Sequence, residues 1–74
     1  MSIKIKVHSV DKNSNSAIIT VLDGDHFVVD RKNIFNVWLN SDGSANTTYL
    51  TLCAKYLTFR DRLERIDKAE DDLL

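Results

Sequence analysis

Along the carboxy-terminal stretch, apolar residues recur at alternating spacings of three and four. From Tyr49 the ladder reads Tyr49, Leu52, Tyr56, Phe59, Leu63, Ile66, with Leu73 back in register after Glu70 interrupts it. That spacing is the heptad seam of an α-helix and is incompatible with the two-residue repeat of a strand. Over the first half only, Leu50, Cys53, Ala54 and Leu57 add a second stripe and widen the apolar face. Beyond Phe59 charge takes over, with Arg60, Asp61, Arg62, Glu64, Arg65, Asp67 and Lys68. A helix apolar on a wide arc and then on a narrow seam is expected to pack its wide part on its own domain. The narrow seam is then left for another contact.

What precedes the helix must be a small sheet. Ile3, Ile5 and Val7 alternate with Lys4, Lys6 and His8, the period of a half-buried strand. Asp11 to Ser16 is a polar turn, and Ala17 to Leu22 is a β-branched second strand. Asp23-Gly24 is a hairpin signal, read as a type I′ turn, with His26 to Val29 returning as a third strand. The segment 31–45 is expected to hold a short helical turn capped by Asp30, or else a fourth strand, followed by a loop. The helical turn is preferred because Asn33, Asn36 and Asn40 break any alternation. Asn46 or Thr47 then caps a long helix over 46–69, and 70–74 forms an acidic frayed tail. The expected architecture is one α+β domain over 1–74: a three-stranded antiparallel meander over 1–30, packed against one long carboxy-terminal helix.

The totals narrow the function classes. With 74 residues the chain sits where one hydrophobic core is marginal, so a partner or self-association would add stability. A hydrophobic share of 43% against 28% charged residues is that of a folded domain and not of a disordered one. The formal charge of −1 argues neither for a general nucleic-acid binder nor for an acidic mimic of DNA. The single cysteine, Cys53, excludes an internal disulfide and fits a reducing compartment. No apolar run approaches the ~20 residues of a membrane span. Met1-Ser2-Ile3-Lys4 has no signal-like hydrophobic region, so the cytoplasm is the expected location, the host's if the protein is viral.

Candidate chemistry is sparse. His8 and His26 fall on the first and third expected strands, where Asp25 or Asp30 could complete a metal site if those strands were neighbours. Surface histidine is the simpler reading. Asp23-Gly24-Asp25 and Asp42-Gly43-Ser44 are turns, lacking the remaining ligand positions of a calcium loop and any phosphate-cradling glycine pattern. Cys53 is read as a buried core thiol, and Asn46-Thr47-Thr48 as a helix cap in place of a glycosylation site. No catalytic residue, cofactor or metal is expected, and the chain reads as a non-enzyme.

Two surfaces remain. Lys4 and Lys6 share a sheet face and Arg31-Lys32 follow the third strand, a pattern that small β modules use for single-stranded nucleic acid. Residues 1–32 nevertheless carry five basic and four acidic side chains, a net of only +1, and Phe27 and Phe35 are expected in the core. The helix seam is the stronger signal. A helix over 47–68 is about 33 Å long at 1.5 Å per residue, while strands of five or six residues are under ~20 Å. The seam would therefore overhang, kept helical by Asp61–Arg65 and Glu64–Lys68 pairs.

The segment Ile18–Ile34, with its hairpin and basic pair, resembles the corresponding part of small SH3-like and Tudor-like barrels, over under a quarter of the chain. Such barrels need about five strands, so no residue is carried over. In size and Asn/Ser-rich turns the chain also resembles small accessory proteins of bacteriophages. The expected function is a protein-interaction module that binds and modulates another protein, as an inhibitor of a host protein would, and possible homodimer formation runs through the helix. Trp38, Phe59, Leu63 and Ile66 are the expected apolar anchors, with Arg62 and Arg65 as a charged rim. The alternative is a nucleic-acid-binding sheet using Lys4, Lys6, Arg31 and Lys32.

Overall fold

The computed structural model describes residues 3–73, with side chains described as far as Ile66. Three antiparallel strands, β1 (Ile3–Asp11), β2 (Ser16–Asp23) and β3 (His26–Ile34), form one sheet with β2 in the middle. One helix, α1 (Thr47–Leu73), covers one face. This is the α+β meander-and-helix architecture expected from the alternation and heptad patterns.

Local chemistry explains the turns. In the β1–β2 turn Asp11 Oδ1 accepts the Asn13 N–H at 2.9 Å, and Asn15 takes the left-handed conformation that asparagine tolerates. The β2–β3 hairpin pairs Asp23 with His26, so its two central residues are Gly24 and Asp25. Only Gly24 has positive φ (63°), the pattern of a type II′ turn in place of the expected type I′.

The expected helical turn at 31–40 is absent. β3 runs on to Ile34, so Arg31 and Lys32 lie within the strand and do not follow it. The chain then folds as a tight irregular loop. Val37 N–H donates to Asn15 O at 2.8 Å, Leu39 bridges Ala45, and Asn46 N–H donates to Trp38 O at 2.9 Å. β3 continues through Asp30, which therefore caps nothing, and Asn36 at φ 60° turns the chain after the strand has ended. Asn46 does cap α1, since its Oδ1 accepts the Tyr49 N–H at 3.0 Å. The backbone stays helical through Leu73, where a frayed tail from residue 70 was expected.

The strands are longer than expected, at eight and nine residues, or about 30 Å. A 27-residue helix is about 40 Å long at 1.5 Å per residue and still outruns them. Beneath it lies a small core of Ala17, Ile19, Val21, Val37, Ala45, Leu50 and Ala54. The face that α1 turns to the sheet is narrow, formed by Leu50 and the smaller Ala54 and Thr58, spaced four apart so that they stack in line. Thr58 is buried, and its hydroxyl has no hydrogen-bond partner among the described residues. A buried hydroxyl without a partner costs about 1–3 kcal/mol, so the isosteric Thr58→Val change should stabilise the domain by ~1 kcal/mol in a urea titration.

Candidate interaction surface

The Leu50, Ala54, Thr58 line fixes the rotation of α1, and the heptad ladder is carried to the opposite side. Leu52, Tyr56, Phe59, Leu63 and Ile66 retain between 45% and 62% of their surface in contact with solvent. The seam was expected to be free only where it passed the sheet. It is free from Leu52 onward, while the helix lies over the strands. Of the expected wide apolar arc, only Leu50 and Ala54 are buried, and Leu57 and Cys53 are half-buried at the margin.

The 37–46 loop extends this surface sideways. Trp38 is 70% exposed and stacks on Tyr49, with ring centroids 5.5 Å apart and planes 24° from parallel. Tyr49 is held in turn by its hydroxyl, which donates to Asn36 O at 3.2 Å. Burial and the neighbouring Cys53 both push its phenol pKa upward, so this stacked ring stays neutral. Between Trp38, Leu52, Cys53 and Tyr56 runs a largely apolar groove of about 560 Å³. A second groove of about 270 Å³ continues it past Tyr56 and Leu57 to Ile34 and Phe35. Phe35 and Phe27, expected in the core, are 63% and 57% exposed. Cys53, expected to be fully buried, lines both grooves.

The second half of α1 is anchored by charge. Arg62 grips Asp23 with two parallel hydrogen bonds, Nε to Oδ2 and Nη2 to Oδ1, each 2.8 Å. Arg65 Nη2 adds 3.1 Å to Asp23 and 3.0 Å to Asp61, and His26 Nε2 lies 3.2 Å from the same Asp61 oxygen. Arg62 and Arg65, expected as an interface rim, are thus engaged within the domain. The Asp61–Arg65 pair forms as expected, whereas Lys68 lies outside the described side chains. The two-pronged Arg62 contact, opposed by burial and aided by Arg65, draws the Asp23 pKa from 3.8 to about 2. A depressed carboxylate contributes stability that is complete above its unfolded pKa and lost as pH falls through the folded one. The contribution of Asp23 is therefore full above pH 3.8 and disappears towards pH 2. Acid titration followed by thermal melts should show a loss of Tm across that window that is missing in Asp23→Asn, whose Tm is already lower at neutral pH.

The opposite sheet face carries the alternative site. Ile5 pairs with Val21 towards the helix, so Lys4 and Lys6, across from Leu22 and Thr20, point away from it. Lys32 pairs with Ile19 and lines the helix-side groove with Leu57, so it belongs to the other face. The four expected basic residues are therefore divided between two surfaces. The outer face instead holds a polar knot at a β-bulge. The Thr20 hydroxyl donates to Asp30 Oδ1 at 3.1 Å and accepts the Arg31 N–H at 3.1 Å, which secures Arg31 at φ 50°. His8 Nε2 lies 2.7 Å from the same oxygen. His8 and His26 thus serve different faces, with β2 between their strands, and they do not converge.

Sequence reasoning picked out Trp38, Phe59, Leu63 and Ile66 but left Leu52, Tyr56 and Phe35 outside the surface. Leu52 and Tyr56 carry the same three-four spacing and could have been found from it. Among the described residues no helix is long and apolar enough to cross a membrane. No family model matches the chain, and no curated protein or solved structure matches it either.

Proposed function

We propose that the chain is a non-enzymatic interaction module that binds and modulates another protein through the solvent-facing ladder of α1. One observation carries this reading: five large apolar side chains at heptad spacing, Leu52 to Ile66, stand on the side of the helix turned away from its own core. Isolated exposed apolar residues are ordinary, but a contiguous row of this length marks an interaction surface. Its composition agrees, because interface energy concentrates in aromatic and large aliphatic groups such as Trp38, Tyr56 and Phe59. The domain's own core is small, so covering the ladder would also stabilise the fold. The sheet supports the nucleic-acid alternative less well, its basic residues being split between faces.

The test is a pull-down of the tagged chain from its native host lysate after nuclease treatment, beside a Leu63→Ser/Ile66→Ser variant. A stoichiometric protein held by the wild type and released by the variant supports the reading. Capture that nuclease abolishes, or that the variant retains in full, sinks it.

A further inference from the structure

A ladder with three-four spacing is matched by a helix with the same spacing, because knobs must fall into holes on both sides. A lipid surface asks only for a broad apolar arc. One helix with the required spacing is α1 itself. The charges beside the ladder do not hold two copies apart. Arg62 is taken up by Asp23 through two 2.8 Å bonds, and Arg60 Nη2 lies 4.0 Å from Glu64 of its own helix. Cations already paired within the domain neither select a charged partner nor repel a second copy.

Where the ladder starts and stops fixes the arrangement. Tyr49, Tyr56 and Leu63 occupy a positions, and Leu52, Phe59 and Ile66 occupy d positions. In an antiparallel pair each a residue meets a d residue, so the allowed registers differ by seven residues. One of them sets Tyr49 against Ile66, Leu52 against Leu63 and Tyr56 against Phe59, and every ladder residue has an apolar residue opposite. A shift of one heptad sets Leu52 against Glu70, the break in the ladder. The reverse shift sets Leu63 and Ile66 against residues 45 and 42, ahead of Thr47 where the helix begins. The matched register also brings Ile66 of one copy to the Trp38–Tyr49 stack of the other, and so covers Trp38, 70% exposed, at the Cys53 side of the seam. Lys55 then stands opposite Arg62, whose charge Asp23 already offsets. A parallel pair would instead join the Cys53 side of one helix to the opposite side of the other, leaving Trp38 beside Thr48 and Lys55.

We infer that α1 pairs with α1 of a second copy, antiparallel and centred on Tyr56 and Phe59, so that the free protein closes its own docking surface. This rests on the ladder being that surface and adds its regulation, since a partner must displace the copy. Trp38 and the five ladder residues are each about half exposed or more, leaving on the order of 100 Å² apiece and roughly 600 Å² per copy. A standard interface buries about 800 Å² per partner, so the pair belongs to the weak, exchangeable class, with a Kd of about 10–100 μM. At the low-micromolar concentration of a thermal melt it is mostly apart and adds little to Tm.

Sedimentation equilibrium of the full chain over about 1 μM to 1 mM should show the mass rising from 8.5 kDa towards twice that value. Leu63→Ser and Phe59→Ser should each weaken the association at least tenfold while circular dichroism shows both folded. Orientation is read by oxidation in a Cys53→Ser background. Chains carrying Leu52→Cys and Leu63→Cys should cross-link when mixed, and neither should cross-link alone, because like positions lie about 16 Å apart along the antiparallel pair. A chain that stays at 8.5 kDa throughout overturns the pairing and leaves the ladder open to a different protein, which lysate capture tests separately. Association that both serine variants retain overturns the ladder as its seat. Cross-linking of each single variant with itself, and none in the mixture, overturns the antiparallel arrangement. A monomer that binds vesicles of phosphatidylglycerol and phosphatidylcholine through Leu63 overturns both the pairing and the protein partner.

Discussion

Ile19→Ala should lower the melting temperature by ~10–30 °C. Ile19 is fully buried on the middle strand, beneath α1 and between two neighbouring strands. Removing buried methylenes costs the lost transfer energy and the cavity left behind, about 2–5 kcal/mol for Ile→Ala. In a domain of this size each kcal/mol moves Tm by about 4–8 °C. A single core this small supplies only ~3–5 kcal/mol in total, so the variant should be largely unfolded at 37 °C. Ile19→Val, at about 0.5–1.5 kcal/mol, should stay folded and melt a few degrees lower. The seven-residue core of Ala17, Ile19, Val21, Val37, Ala45, Leu50 and Ala54 has little redundancy, three of its members being alanine. Circular dichroism melts of the two variants measure this directly. An Ile19→Ala melt within 5 °C of wild type would mean that the stability lies outside this core.

Phe59→Ala/Leu63→Ala should have the opposite profile. Both side chains are exposed, so their removal leaves the core intact and Tm should change by no more than a few degrees. Affinity for the partner should fall at least 100-fold. Buried interface anchors cost about 2 kcal/mol or more each when truncated, and two of them near the middle of the ladder exceed 2.7 kcal/mol together. Isothermal titration of the partner against wild type and variant gives the ratio. A large loss of Tm with unchanged affinity per folded molecule would assign the ladder to folding instead of binding. The two experiments are complementary, because one side of α1 should control stability and the other recognition.

Much of this organisation is legible in residue order alone, and the parts that are not have specific physical causes. The strands are readable because Ile3, Ile5 and Val7 alternate with Lys4, Lys6 and His8 and because Asp23-Gly24 signals a hairpin, although the turn centres one residue later, on Gly24 and Asp25. The helix and its cap are readable from the three-four ladder and Asn46. The rotation of the helix is legible only in part. Leu50 and Ala54 face the sheet as expected of the wide apolar part, but Leu52 and Tyr56 of that part stay exposed and Thr58 is buried instead, the small Ala54 and Thr58 letting the backbone sit close to the sheet. Its second half is then held by Asp23 against Arg62 and Arg65, contacts between positions about forty apart in the chain that local pattern cannot announce. The loop after Ile34 was misread for a related reason. Its form depends on the Val37–Asn15 and Asn46–Trp38 backbone bonds, the first joining it to the β1–β2 turn and the second closing the loop on itself, and neither is announced by side-chain periodicity. Of the candidate surface, the apolar ladder was therefore visible in sequence, and the engagement of Arg62 and Arg65 by Asp23 was hidden.

The most direct test of the central claim, that the outer side of α1 meets another polypeptide, is site-specific photo-cross-linking in the native host. A photoreactive benzoyl-phenylalanine replaces Phe59 on the ladder in one strain and Lys6 on the outer sheet face in another. The account predicts a single discrete protein adduct from position 59, resistant to nuclease, and none from position 6. An adduct from position 6 with none from position 59 would contradict it and move recognition to the sheet.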